Sequence, residues 1–155
     1  MSVALAGAVI AIHHIGSTAV PGLCAKPIID MLAIISAGTW RESHTQALER
    51  LTYIAKGEYG IPGRRFFIKP QEVMRTHHLH IFLQNHPDIP RHLALRDYLR
   101  AFPSEACRYG YLKDNLAQTY PHDIKAYMEG KASMVHAMEK EALAWAAASP
   151  AQAFD

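Results

Sequence analysis

Apolar positions gather into short runs in the first half of the chain and into helical stripes in the second. Residues 8–15 (AVIAIHHI) make an Ile-rich run that predicts a core strand. Gly16 to Pro27 then holds two Gly, two Pro, one Ser and one Thr, so it reads as a loop with room for one helical turn. Ile28 to Ile35 (IIDMLAII) is apolar on both faces except at Asp30, the pattern of a strand covered on both sides. Thr39 and Glu42 have capping-box spacing and open a helix expected to reach about Ala55. The Gly60-Ile61-Pro62-Gly63 turn and the RRFFIK run after it predict a hairpin over Glu58 to Lys69, and Thr76 to Gln84 reads as a further strand. From Pro87 onward Leu95, Tyr98, Leu99 and Phe102 repeat at i, i+3, i+4, i+7, with Pro90 in the first turn and Pro103 as the stop. Tyr109, Leu112 and Leu116 continue the pattern over Ser104 to Thr119, and a last helix from Pro121 carries Tyr127, Met134, Met138 and Trp145 on one stripe. These stripes read most simply as core.

The expected fold is therefore α/β (α+β): a small mixed sheet flanked by helices, with a C-terminal layer of about three helices. The length of 155 residues suits a single domain, with an αβ half over 1–86 and a helical half over 87–150. At 50% apolar and 19% charged, the chain is neither disordered nor collagenous, and two cysteines make no disulfide scaffold. Cys24 and Cys107 read as free thiols of a reducing, cytoplasmic compartment. The apolar opening from Val3 to Ile12 lacks the positive flank of a signal peptide, since the first Lys is Lys26 and the first Arg is Arg41. It is also far shorter than the ~20 residues of a membrane helix. A net charge of +2 gives no bulk attraction for nucleic acid. The unusual count is ten histidines, the side chains best placed for metal ligation or proton transfer near neutral pH.

Four groups of residues could carry chemistry. Gly16-Ser17-Thr18 follows a strand, so a tight turn there could aim backbone N–H groups and two hydroxyls at a phosphate, with Lys26 adding a cation. The plain alternative is an ordinary strand-to-helix connection. Asp30 is an acid inside an apolar strand, costly to bury unless it is paired, hydrogen-bonded or metal-bound. In THHLHIFL, alternation sends His77, Leu79, Ile81 and Leu83 to one face and His78, His80 and Phe82 to the other, so His78 and His80 could share one ion or one phosphate. Paired histidines on a strand are also common as structural residues. Arg64 and Arg65 point to opposite faces of the hairpin, and Arg96 and Arg100 stand i, i+4 on a helix. These are phosphate-binding candidates or parts of a solvated face. Ser17 has no triad order or elbow motif around it, which argues against a serine hydrolase.

HIGSTAVPGLCAKPIID (His14 to Asp30), THHLHIF (Thr76 to Phe82), LRDYLRAFP (Leu95 to Pro103) and YGYLKDNLA (Tyr109 to Ala117) together resemble the signature blocks of the GrpB family, over nearly the whole chain. The resemblance implies a fold of the nucleotidyltransferase superfamily. It also implies a helical segment ahead of the first strand, so the chain reads as shortened there. That superfamily works with Gly-Ser, then two acids in alternation on a strand, then a third acid on a later strand, which hold divalent metals for phosphoryl attack. Gly16, Ser17 and Asp30 match this scheme, Leu32 stands at the second acid, and His78 and His80 replace the third. By this resemblance Asp30 is the catalytic candidate, and Asp30, His78 and His80 would hold one divalent ion (Mg, Mn or Zn). Gly16, Ser17, Thr18, Lys26, Arg64, Arg65 and Arg96 would serve a phosphorylated small molecule, with a nucleotide foremost. Two alternatives stay open: a catalytically degenerate ligand- or partner-binding domain, and a metal-dependent hydrolase.

Overall fold

A computed structural model describes residues 5, 7–71 and 74–148 of the chain. Val3, Ala4 and Ala6 of the opening apolar run and the last two residues of the expected helical half lie outside that range. The described elements are five strands and four helices: β1 (Val9–Ile15), β2 (Ile29–Ile35), α1 (Glu42–Arg50), β3 (Ile54–Ala55), β4 (Arg65–Gln71), β5 (Met74–Leu83), α2 (Asp88–Ala101), α3 (Pro103–Thr119) and α4 (Ile124–Ala148). The chain divides into two compact units, Met1–Ala19 with Pro27–Ile89, and Val20–Lys26 with Pro90–Asp155.

The first unit is a mixed sheet in the order β1-β2-β5-β4-β3. β2 and β5 are parallel, and the other neighbouring pairs are antiparallel. One face buries Ala33, Ile35, Phe67, Leu79 and Ile81 against Leu48 of α1, with Tyr53 and Leu5 in the same cluster. Helix α1 stops at Arg50, short of the expected Ala55. Thr52 turns the backbone to φ 67, which carries Tyr53 into the core and hands Ile54–Ala55 to the sheet. The expected Thr39 cap is also replaced: the Thr39 hydroxyl donates to the Ser36 carbonyl, and the Arg41 N–H donates to Nδ1 of His44 at the helix start. Period-3.6 patterning locates a helix but not the residue at which tertiary packing ends it.

The second unit packs Val20 and Leu23 with Leu99, Ala106, Tyr109 and Met138. Ala94, Ala142 and Ala146 let α2 and α4 approach closely, with Trp145 and Tyr98 alongside. A Cβ on Gly130 would stand 2.5 Å from Cδ2 of Leu116, so the α3–α4 contact is built around a missing side chain. Of the expected stripes, Leu99, Tyr109 and Met138 are core, Leu95, Tyr98, Met134 and Trp145 pack partly buried against it, and Phe102 stays exposed. Among the described residues no helix is long and apolar enough to cross a membrane.

Candidate functional site

Strand register assembles the site. Asp30 of β2 lies opposite His78 of β5, and Leu32 lies opposite His80. On the flanks, Ile15 of β1 pairs with Asp30, while Ile68 and Phe66 of β4 pair with His78 and His80. Paired residues share a face, and even-numbered positions on β2 and β5 point away from the Leu48 core, so Asp30, His78 and His80 stand together. Oδ1 of Asp30 is 2.9 Å from Nδ1 of His78 and 3.9 Å from Nε2 of His80. An ionised carboxylate only accepts, so His78 donates from Nδ1. Its other nitrogen, Nε2, is buried and has no hydrogen-bond partner among the described residues. Burial pushes the Asp30 carboxyl up, but the hydrogen bonds and charges of His78 and His80 outweigh it and hold the group at about 2.

The turn after β1 meets this carboxylate directly. Gly16 has φ +72, and a Cβ there would sit 2.5 Å from Oδ2 of Asp30 and 3.0 Å from its Cβ. Only glycine allows both that conformation and that approach. Ser17–Ala19 then forms a single 3-10 turn, with the Ala19 N–H donating to the Gly16 carbonyl at 3.1 Å. The Thr18 hydroxyl donates to the Ile28 carbonyl at 3.2 Å, and with its proton so committed it accepts from Nε2 of His14 at 2.9 Å. Thr18 therefore ties the turn to the entry of β2, which differs from the ligand-facing role the sequence suggested.

Arg64 is 6% exposed and reaches the same cluster. Its Nε donates to the Glu58 carbonyl at 3.1 Å, Nη2 to the Tyr59 carbonyl at 2.5 Å, and Nη1 to Nδ1 of His80 at 3.2 Å. The guanidinium also lies 4.7 Å from the Phe66 ring centre. Arg64 organises the turn and His80, and its contacts are with protein groups rather than an open phosphate position. Arg65 belongs to the opposite face, paired with Ile81 and 5.1 Å from the Trp40 ring centre, so the structure does not bring it to Asp30. Lys26 and Arg96 are parts of the second unit. Arg96 grips both oxygens of Asp97 at 2.7 and 2.9 Å, with both residues buried, and Lys26 lies 5.8 Å from the Tyr127 ring centre. Phe66, whose ring is 5.4 Å from His78 and 5.0 Å from His80, was not singled out from the sequence. Alternation along RRFFIK places it on the Arg64 face, and that was the available signal.

The donor set can be tested against a shared ion. The 2.9 Å between Asp30 and His78 is the length of the hydrogen bond in which Nδ1 carries the proton, so that nitrogen is not a metal ligand while it donates to Asp30. His80 does not fit. To ligate through Nε2 it would carry its proton on Nδ1, where Arg64 already presents an N–H. Among the described residues no group of three or more His, Cys, Asp or Glu is arranged to hold a metal ion. What fits is one protein ligand, the Asp30 carboxylate, with the remaining positions open to water or a ligand's own oxygens.

Residues 1–141 match the family model described as GrpB protein. A UPF0157 protein of Bacillus subtilis, YqkA, is 44% identical over 137 residues, which is 88% of this chain and 40% of the relative. A UPF0157 protein of Pseudomonas aeruginosa is 42% identical over 86% of this chain and 55% of its own length. The chain thus spans about half the length of these relatives. The glutamate-rich protein GrpB of Alkalihalophilus pseudofirmus is 34% identical over 80% of this chain and 74% of its own. The crystal structure of the conserved protein GrpB from Enterococcus faecalis superposes with a TM-score of 0.85 at 43% identity, covering 92% of this chain and 85% of that one.

Proposed function

The chain belongs to the GrpB family, and from the geometry of its sheet face we propose that it binds a phosphorylated small molecule, a nucleotide foremost, at the Gly16–Ser17 turn beside Asp30. The observation that carries this reading is the contact between Gly16 and Asp30, where a Cβ would lie 2.5 Å from Oδ2. The approach follows from the pairing of Ile15 with Asp30, and it sets the Gly16–Ser17 backbone and an ionised carboxylate at one place, where both can meet one ligand. A phosphate beside Asp30 alone would be repelled, so the ligand enters with a divalent cation. Asp30 would hold that ion together with phosphate oxygens, with the His78 N–H orienting the carboxylate, and the ion would neutralise charge between carboxylate and phosphate. Ser17 offers its hydroxyl to the phosphate, and Nε2 of His78 would exchange a proton with the ligand. Arg64 keeps His80 neutral, with its N–H directed at Asp30.

A specific observation favours a second reading, binding without turnover. Leu32, fully buried, occupies the position two residues beyond Asp30 where the superfamily scheme has its second acid. One carboxylate supports a single cation rather than a two-metal assembly. Calorimetry of the full chain with a magnesium–nucleoside triphosphate is the test, repeated with Asp30→Asn and with chelator. Binding that needs magnesium and weakens at least tenfold in Asp30→Asn is expected. Binding indifferent to both would end the proposal. Release of pyrophosphate on incubation assigns nucleotidyl transfer, release of inorganic phosphate assigns hydrolysis, and neither assigns the binding role.

A further inference from the structure

Tyr59 sits where the backbone disfavours it. Tyr59 and the following Gly60 both have positive φ, 45° and 85°, and the Ile61 N–H closes the turn on the Glu58 carbonyl at 3.1 Å. Asn, Asp and Gly ordinarily fill such a turn, because a larger side chain crowds its own backbone there. Burial does not compensate, since Tyr59 is 62% exposed. The turn is nonetheless held from several sides. Arg64 donates from Nε to the Glu58 carbonyl at 3.1 Å and from Nη2 to the Tyr59 carbonyl at 2.5 Å. The Gly63 N–H donates to Oε1 of Glu58 at 2.7 Å.

What the strained position achieves is the placement of a ring. Tyr59 stacks on Phe66, with ring centres 5.3 Å apart and planes 26° from parallel. Phe66 in turn lies 5.4 Å from the His78 ring and 5.0 Å from the His80 ring, and His78 donates to Asp30 at 2.9 Å. A continuous run of rings thus leads from the carboxylate out to an exposed aromatic surface. Its length is comparable with that of an extended nucleoside triphosphate. Resting on the nucleotide reading above, we propose that Tyr59 is the stacking platform for the ligand's nucleobase, with the phosphates at the Gly16–Ser17 turn beside Asp30. Every base has a π-face, so such a platform accepts nucleotides with little regard to base identity. A ring already fixed by its turn and by Phe66 loses little freedom when the base lands on it.

The test compares magnesium–ATP with magnesium–tripolyphosphate, which has the phosphates and no base, by calorimetry of the full chain. Tyr59→Asn suits the positive φ, so this variant should unfold in urea no earlier than the parent. It should bind ATP about tenfold or more weakly than the parent, and tripolyphosphate within about twofold of it. Tyr59→Trp keeps an aromatic plane and should retain ATP affinity. ATP should quench its emission beyond that of the parent, which carries Trp40 and Trp145, and tripolyphosphate should not. Tyr59→Asn binding ATP as tightly as the parent would overturn the platform and leave the phosphate reading standing. Equal weakening toward both compounds would also overturn it, by showing that Tyr59 acts through its turn. If Asp30→Asn leaves ATP binding intact while Tyr59→Asn weakens it, the platform stands and the phosphates do not rest at Asp30. A parent that binds neither compound overturns both.

Discussion

Nη1 of Arg64 lies 3.2 Å from Nδ1 of His80, and this contact fixes where the imidazole carries its proton. A guanidinium offers only donors, so Nδ1 must accept and the proton must sit on Nε2, on the side of Asp30. Burial pushes the His80 pKa down, and Arg64 and His78 push the same way against the pull of Asp30. His80 therefore stays neutral where an ordinary histidine would take up a second proton, and Asp30 accepts a hydrogen bond from His78 while the His80 N–H faces it from 3.9 Å.

The first prediction follows from that lock. Nitrogen-15 spectra of the parent should show His80 as the Nε2–H tautomer at neutral pH, titrating below 6.5. Replacing Arg64 by Gln removes the cation, so the His80 pKa should rise. Arg64→Lys, which keeps a charge but loses the fork to the Glu58 and Tyr59 carbonyls, should fall between the two. A parent spectrum with His80 protonated on Nδ1 would contradict the assignment.

Acid sensitivity gives the second. Asp30 is held at about 2 against an ordinary 3.8, so between those values the unfolded chain binds the proton that the folded chain refuses. The stability this confers is complete above about pH 4 and is lost as pH falls through 2; from the shift it is on the order of 2 kcal/mol. Asp30→Asn should lose roughly that amount in urea unfolding at pH 7, with the gap to the parent closing by pH 2. His80, depressed in turn, favours the neutral ring, so the parent also loses stability as pH drops below 6.5. Removing the carboxylate also removes its pull on His80, so the two shares are told apart by range: His80 acts around pH 6.5, and Asp30 below about pH 4. A gap that is constant with pH would show that the carboxylate's charge is not what matters.

Much of this face could be read from alternation alone. An acid at an even position of β2 and histidines at even positions of β5 had to point the same way if both strands were in one sheet. That the two strands are neighbours, with Asp30 opposite His78, is a parallel pairing across 48 positions, and no local pattern encodes it. Which of Arg64 and Arg65 reaches the site stayed open for a similar reason. Alternation says that they differ, and only the pairing of Arg65 with Ile81 says which one faces the core. Thr18 looked like a ligand hydroxyl because its partner, the Ile28 carbonyl, lies beyond a loop whose path the residues do not specify. Helix α1 read too long because Leu51 and Tyr53 suit a helical stripe as well as they suit the turn that buries Tyr53.

The third prediction separates backbone strain from packing. Gly16 and Gly22 share nearly the same backbone, φ +72 and φ +75, but a Cβ on Gly22 meets nothing within 4 Å. Gly22→Ala should therefore cost only the left-handed penalty of about 1–2 kcal/mol. Gly16→Ala must also displace Asp30, so it should cost at least about 1 kcal/mol more and disturb the His78 ring resonances. Equal losses for the two variants would mean that the turn is not pressed on the carboxylate.

Neighbouring hydroxyls supply the last. Thr18 spends its proton on the Ile28 carbonyl, so Thr18→Val should lower stability by about 1 kcal/mol, the worth of one such hydrogen bond. Ser17 stands half-buried at the head of the 3-10 turn, next to Gly16, where the proposed phosphate would rest. A hydrogen bond to a charged group is worth roughly 1.5–3 kcal/mol, so Ser17→Ala should weaken magnesium–nucleotide binding about tenfold or more while unfolding shifts by less than about 0.5 kcal/mol. The two substitutions thus cross over, one acting on the fold and the other on the ligand. Ser17→Ala binding as tightly as the parent would remove Ser17 from the site. A covalent adduct on Ser17, found by mass spectrometry after incubation with nucleotide, would instead make it a nucleophile and overturn its assignment as a phosphate contact.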